Sequence, residues 1–348
     1  MATASHPLVA RARQLATDLL APQAERVDLE GVPMSHVEAV KRSGLLGVSA
    51  PVEYGGSAAS AAVARETAEI LAGACCSTWF VQTQHYTPVK LLTDSRLPVR
   101  ERLLGPLATG ELLAGIAYAH VRAFPRIPVR ATAERGGWRF DGTVPWYTGW
   151  GLNDVMLLAG VTDAGEVVFA FTEAREQAGL RPSEPMRLAA LTAARTVSLQ
   201  LTGVRLPDES VVLRTPHEKF AQIDLPRAAN TNPAVFGIAH AALALLDGDT
   251  EAEATASALR TRLDEVRTQA YALADHPAPH EHVEERLALK TRAYDLMRAA
   301  TTAAIVSGGG RTMDLRNPAQ RLAREGMFLL VQGQTTGVRR AHLEQLSG

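Results

Sequence analysis

The chain has 348 residues, of which 46% are hydrophobic and 21% charged, and its formal net charge is −1 at neutral pH. Such a length exceeds one small core, so two or three structural units are expected. With no block of Lys or Arg and a charge near zero, the basic field that draws in nucleic acid is excluded.

From Leu8 to about Leu113 the pattern is helical and alanine-rich. It breaks at Ser49–Ser57, where Pro51 and the Gly55-Gly56 pair stop a helix. The N-terminus, MATASHPLVARARQL, lacks the apolar core and small-residue cleavage site of a secretion signal. Two adjacent cysteines, Cys75 and Cys76, make no disulfide framework and read as small buried residues of a cytoplasmic protein.

From about Ala114 to Leu213 the period falls to two. In TVSLQLTG, Val197, Leu199 and Leu201 share one face and Ser198, Gln200 and Thr202 the other, which predicts a half-buried strand. WRFD alternates in the same way after the turn signal Gly136-Gly137. DVMLLAGVTDAGEVVFAF predicts two strands joined by a turn at Asp163–Gly165. Before these two strands lies GGWRFDGTVPWYTGWG, Gly136–Gly151, which contains WRFD and holds Trp138, Trp146 and Trp150, three of the four tryptophans in the chain.

After about Pro216 the helices return. Leu289, Ala293, Leu296, Ala300 and Ala303 form one apolar stripe that faces a bundle. The longest apolar run, AVFGIAHAALALL, carries His240 and is too short to span a bilayer. His276, His280 and His282 fall in DHPAPHEHVEE, whose proline spacing and flanking acids read as a solvated loop, so no metal is expected. The expected units are residues 1–113, helical; 114–215, β; and 216–348, helical again, with a site at their junction.

This order, with the residues at its joints, resembles the acyl-CoA dehydrogenase superfamily over nearly the whole chain. GLLGVSAPVEYGG, LLGPLATGELLAG, FDGTVPWYTGWGLNDVMLLAG and VRLPDESVVL are each similar to a family segment and occur in the family's order. The resemblance implies an α+β fold: an N-terminal helical domain, a middle β-barrel or sandwich domain and a C-terminal helical bundle. It implies FAD as cofactor, with Trp146, Tyr147 and Thr148 standing where the family has Trp-Ile-Thr beside the flavin. An aromatic wall suits a flat electron-poor ring, and a hydroxyl suits its N5 edge; two residues apart on a strand, Trp146 and Thr148 are expected on one side. Trp138 and Trp150 have no family counterpart and read as packing or as substrate-pocket wall.

Two departures stand out. The family's base carboxylate falls by alignment on Gly333, or on Gln332 with a one-residue shift, and the alternative position at the start of the bundle is Pro226, before Arg227. None of these takes up a proton. The Arg-x-x-Phe-Gly segment that holds the ADP half of FAD is also missing between Leu246 and Leu287. Gly308-Gly309-Gly310 is either the family's approach to the pyrophosphate or a helix terminator, so FMN or a loosely held reduced flavin is an alternative to FAD. Thr335 takes the family's threonine position.

Imidazole can do proton work near neutral pH. His85, on the stretch whose family counterpart borders the substrate cavity, and His120, near the family's Thr-Glu-Pro position, are the candidate catalytic groups; each is also readable as a packed or solvent-facing histidine. Gln82, Arg227 and Asn230 are expected near the substrate. Three functions follow: a flavin-dependent oxidoreductase of an acyl thioester, on CoA or another carrier; a two-component monooxygenase of the same fold served by a flavin reductase; or a non-catalytic subunit of a hetero-oligomeric dehydrogenase. The resemblance also implies a homodimer or homotetramer and a small-molecule acyl substrate, with a flavin reductase or an electron acceptor as partner, while charge and hydropathy point to neither nucleic acid nor membrane.

Overall fold

A computed structural model describes residues 3–278 and 280–347. Among the described residues seven α-helices come first: α1 (Pro7–Leu15), α2 (Ala21–Glu30), α3 (Met34–Arg42), α4 (Ala61–Ala74), α5 (Cys76–Thr83), α6 (Tyr86–Asp94) and α7 (Val99–Thr109). A π-helical turn at Ala16–Leu20 joins α1 to α2 without a break. Ser60 starts α4 by accepting the Val63 amide on its hydroxyl, which satisfies one of the free donors of the first turn.

Eight strands follow: β1 (Ala114–Ala117), β2 (Val129–Glu134), β3 (Gly137–Tyr147), β4 (Val155–Val161), β5 (Glu166–Glu173), β6 (Leu180–Pro182), β7 (Val197–Pro207) and β8 (Val211–Pro216). They form one sheet in the order β6-β7-β3-β2-β4-β5-β8, with β1 parallel to β4. Its two halves meet at a single pair, Arg130 opposite Val161. The pattern of burial explains the sequence. Met156 and Leu158 of β4 enter one core with Phe140, Val144 and Leu199, while Leu157, Ala159 and Val161 enter another with Val89, Leu104 and Leu107. Because β4 and β5 are covered on both faces, they read as continuous apolar runs, whereas β7 keeps its alternation because Gln200 and Thr202 face solvent.

The chain closes with α8 (His217–Ala229), α9 (Pro233–Ala244), α10 (Glu253–Ala274), α11 (Val283–Gly308), α12 (Pro318–Leu329) and α13 (Thr336–Ser347). One core runs through the first helices and the last, from Leu8 and Val27 to Phe236, Met297 and Leu322. Its tightest crossing is α4 on α9. A Cβ on Gly73 would stand 2.6 Å from the Gly237 carbonyl oxygen, and one on Gly237 would stand 2.2 Å from the Glu69 oxygen. Only glycine permits that approach. Among the described residues no helix is long and apolar enough to cross a membrane.

Candidate functional site

The end of β3 is where the three tryptophans part company. Val144 pairs with Leu199 and Tyr147 with Val197, so Pro145 and Trp146 together oppose one residue of β7. This bulge turns Tyr147 into the core, fully buried, and leaves the Trp146 indole 52% exposed. Thr148 lies one residue past the strand, so the two-residue alternation expected of Trp146 and Thr148 does not reach it; the turn sets its direction. Its hydroxyl is buried 3.1 Å from the Thr196 hydroxyl, and either group can donate. Trp138 is a core residue under the Arg214 guanidinium, and Trp150 is half-buried against Tyr147.

Asn153 holds this corner. Its Nδ2 donates to the Tyr147 hydroxyl oxygen and to the Thr148 carbonyl, 3.1 Å each, while its Oδ1 is buried without a partner. Gly149 allows the turn: its φ is +87°, and a Cβ there would strike the Asn153 amide at 2.6 Å. The amides of Gly149 and Trp150 donate to the carbonyls of Ala194 and Arg195, and the Ala193 carbonyl accepts from Val32 at the end of α2. The corner is therefore anchored to the sheet and, through the 190–196 loop, to the N-terminal helices.

A second cluster gathers around Gly333. Arg122, in the turn after β1, makes a two-pronged ion pair with Asp224 of α8, at 2.7 and 2.9 Å, and its Nη1 also donates to the Gly333 carbonyl at 3.5 Å. The Asp224 side chain is 11% exposed. A carboxylate thus shares one guanidinium with the position where alignment leaves glycine, contributed by a residue that carries no local motif. Lys290 of α11 donates to the carbonyls of Ala228 and Asn230, which cap the C-terminal end of α8. Arg286, one turn earlier, donates to the Asn230 side-chain oxygen at 2.6 Å, and the Asn232 amide donates to the Gln332 side chain at 2.9 Å. Gln332, Gly333, Asn230 and Asn232 therefore come together, whereas Arg227 is exposed.

Burial, with the nearby Arg122 charge adding to it, pushes the Lys290 ammonium down to about 8. The folded chain then binds fewer protons than the unfolded chain between about pH 8 and 10.5, so this group adds stability as pH rises through that window. Lys290→Met is expected to remove that rise, about 3 kcal/mol at most, which denaturant titrations of both proteins at pH 7.5 and 10.5 measure. Parallel pH profiles for the two proteins would refute the assignment.

The two candidate histidines are both enclosed. His85 is fully buried between α5 and α6, its Nδ1 accepts from the Ala114 amide at 3.1 Å, and burial pushes its pKa down to about 3. His120 Nε2 lies 2.9 Å from the Ala159 carbonyl, and burial lowers its pKa to about 4. Both rings are neutral at physiological pH, and the bonds they make are to backbone. His120 still lies in the turn, Ala119–Ala123, that delivers Arg122 two residues later. Gln82 is buried, donates to the Tyr86 hydroxyl oxygen at 2.8 Å and, with Thr78 and Leu113, lines a cavity of about 10 Å³, room for one water. Thr335 caps α13 by accepting the Val338 amide. Gly308 and Gly309 end α11, and a Cβ on Gly309 or Gly310 would meet nothing within 4 Å, so this backbone is open to a ligand.

Residues 4–111 match the family described as acyl-CoA dehydrogenase, N-terminal domain. No curated protein sequence matches the chain. Among solved structures, butyryl-CoA dehydrogenase from Megasphaera elsdenii superposes with a TM-score of 0.83 at 17% identity, over 98% of this chain and 97% of that one. The chain has the acyl-CoA dehydrogenase fold, entered through that family's N-terminal domain. A glutaryl-CoA dehydrogenase from Mycobacterium smegmatis in complex with FADH2 gives 0.78 at 17% identity over 98% and 94%. Dibenzothiophene monooxygenase from Paenibacillus sp. A11-2 gives 0.77 at 17% over 98% and 97%. One acyl-CoA dehydrogenase fold thus serves both dehydrogenases and a monooxygenase.

Proposed function

We propose that the chain is a flavin-dependent oxidoreductase of the acyl-CoA dehydrogenase type, acting on an acyl thioester or a related small molecule. The observation that supports this reading is the half-exposed Trp146 indole on its bulge, next to the buried hydroxyl pair of Thr148 and Thr196. These residues fit a flavin: an open aromatic face, a hydroxyl able to donate or accept, and an unpartnered Asn153 oxygen behind them. A flavin bound there would supply two-electron redox chemistry at its ring. Trp146 would wall one face of that ring, Thr148 would offer a hydrogen bond to its edge, and Asn153 would hold Tyr147 and Thr148 in place. The open Gly309-Gly310 backbone supports FAD, with FMN or a loosely held reduced flavin as the alternative.

The oxygen-using variant of this reading draws on Asp224. A carboxylate gripped by both arms of a guanidinium is oriented toward that cation with both oxygens already accepting, which makes it a poor acceptor for a substrate α-proton. A monooxygenase fed reduced flavin by a reductase has no need of that acceptor; a subunit whose partner supplies the acid is the third possibility. The exposed side chains of Val306, Met313, Leu315, Met327 and Val331, which run from the end of α11 through the connection to just past α12, support a homodimer or homotetramer formed through the bundle.

Purified protein loaded with FAD and mixed with a panel of acyl-CoAs and an artificial electron acceptor is expected to bleach the acceptor. If acceptor reduction is absent while a flavin reductase and NADH give coupled oxygen uptake, the monooxygenase variant holds. If neither occurs and no flavin is retained, both enzymatic readings fail.

A further inference from the structure

We propose that the connection between α10 and α11 is a zinc site built from His276, Glu281 and His282. One ligand atom from each of the three residues lies within 4.8 Å of the other two. The His276 and His282 rings stand edge to face with centroids 5.0 Å apart, and His282 Nε2 is 3.9 Å from a Glu281 oxygen. Two imidazoles and a carboxylate are a nitrogen-rich set of borderline softness, which suits Zn²⁺ with water in a fourth position.

What sets this cluster apart from a solvated loop is how the rings are held. His282 Nδ1 lies 3.1 Å from a Glu285 oxygen, a bond that fixes the ring and directs Nε2 outward toward Glu281. His276 Nδ1 lies within 3.5 Å of both the Ala278 carbonyl oxygen and the Ala278 amide. Carboxylate and backbone partners on the far nitrogen are what orient imidazoles that ligate metal. His282 also adopts a left-handed backbone, φ 59°, uncommon for a residue with a side chain, at the start of α11. The side chain of His282 is 38% exposed and that of Glu281 65%, so the cluster is open to an ion from solvent.

Bound zinc would bridge the end of α10 to the start of α11 across a turn and would stabilise the folded state by mass action. The site is separate from the Trp146 corner and stands whatever becomes of the flavin reading. The test is isothermal titration of chelator-treated full-length protein with ZnCl2, alongside thermal unfolding with and without the metal. The expected result is one saturable equivalent of Zn²⁺ and a raised Tm. His276→Ala and His282→Ala are each expected to abolish both, and Glu285→Gln to weaken binding by roughly tenfold or more through loss of ring orientation. No saturable binding to the parent protein, or binding that both histidine variants retain, would overturn the proposal.

Discussion

Arg321→Met is expected to destabilise the protein by about 3–5 kcal/mol. Arg321 is 4% exposed; its Nη1 donates to Glu325 at 2.7 Å and its Nε to Glu25 at 3.0 Å. Glu325 is 1% exposed, with its other oxygen buried and unpartnered. Burial already pushes the Glu325 carboxyl up to about 7 against the pull of Arg321. Without that guanidinium the carboxyl would take a proton at neutral pH or remain as an isolated buried charge, and both outcomes weaken the folded state. The cost falls on the packing of α12 against α2 and α5, and α12 leads directly to Gln332 and Gly333. Chemical denaturation checks the size of the loss. The double variant Arg321→Met, Glu325→Leu is expected to recover most of it, because replacing both members of a buried pair by apolar groups is far milder than removing one. A single variant within about 0.5 kcal/mol of the parent, the range of ordinary surface changes, would show that the pair does not bind the helices together.

Trp146→Ala is the second large effect, and it falls on ligand binding. The indole is half in solvent in the folded chain, so its removal is expected to leave Tm within the small range of surface substitutions. Against a flat tricyclic ring the same indole contributes stacking of about 1–1.5 kcal/mol beyond the area it covers. Together with the lost apolar contact this predicts flavin affinity at least tenfold weaker. Equilibrium dialysis against FAD measures the change. Thr148→Val keeps the shape and removes the hydroxyl; it is expected to lower affinity less, while leaving Thr196 without its partner.

Much of this architecture was legible because it is periodic. The turn at Asp163–Gly165 falls between β4 and β5, and Val197, Leu199 and Leu201 are buried while Gln200 and Thr202 are not. Leu289, Ala293, Leu296 and Ala300 are all buried on α11. The bulge at Trp146 was not legible, since an extra residue in one strand shows only once the partner strand is known. Nor was the Arg122–Asp224 pair. Its members are 102 residues apart and carry no local motif, and the family's alternative acid position falls on Pro226, two residues further along α8. His85 and His120 are candidates by their side-chain chemistry, but whether a histidine titrates near pH 7 depends on burial, and both are enclosed. The turn that brings His276 and His282 edge to face depends on a left-handed His282, which composition alone does not reveal.

The most direct test of a flavin seated on Trp146 is titration of FAD with the parent protein and with Trp146→Ala, read by flavin fluorescence for the oxidised form and by anaerobic equilibrium dialysis for the reduced form. Flavin emission is expected to be quenched saturably by the parent, with at least ten times more of the variant needed to reach the same quenching. Equal titration curves for the two proteins, or no binding by the parent in either redox state, would contradict a flavin at this corner of the sheet.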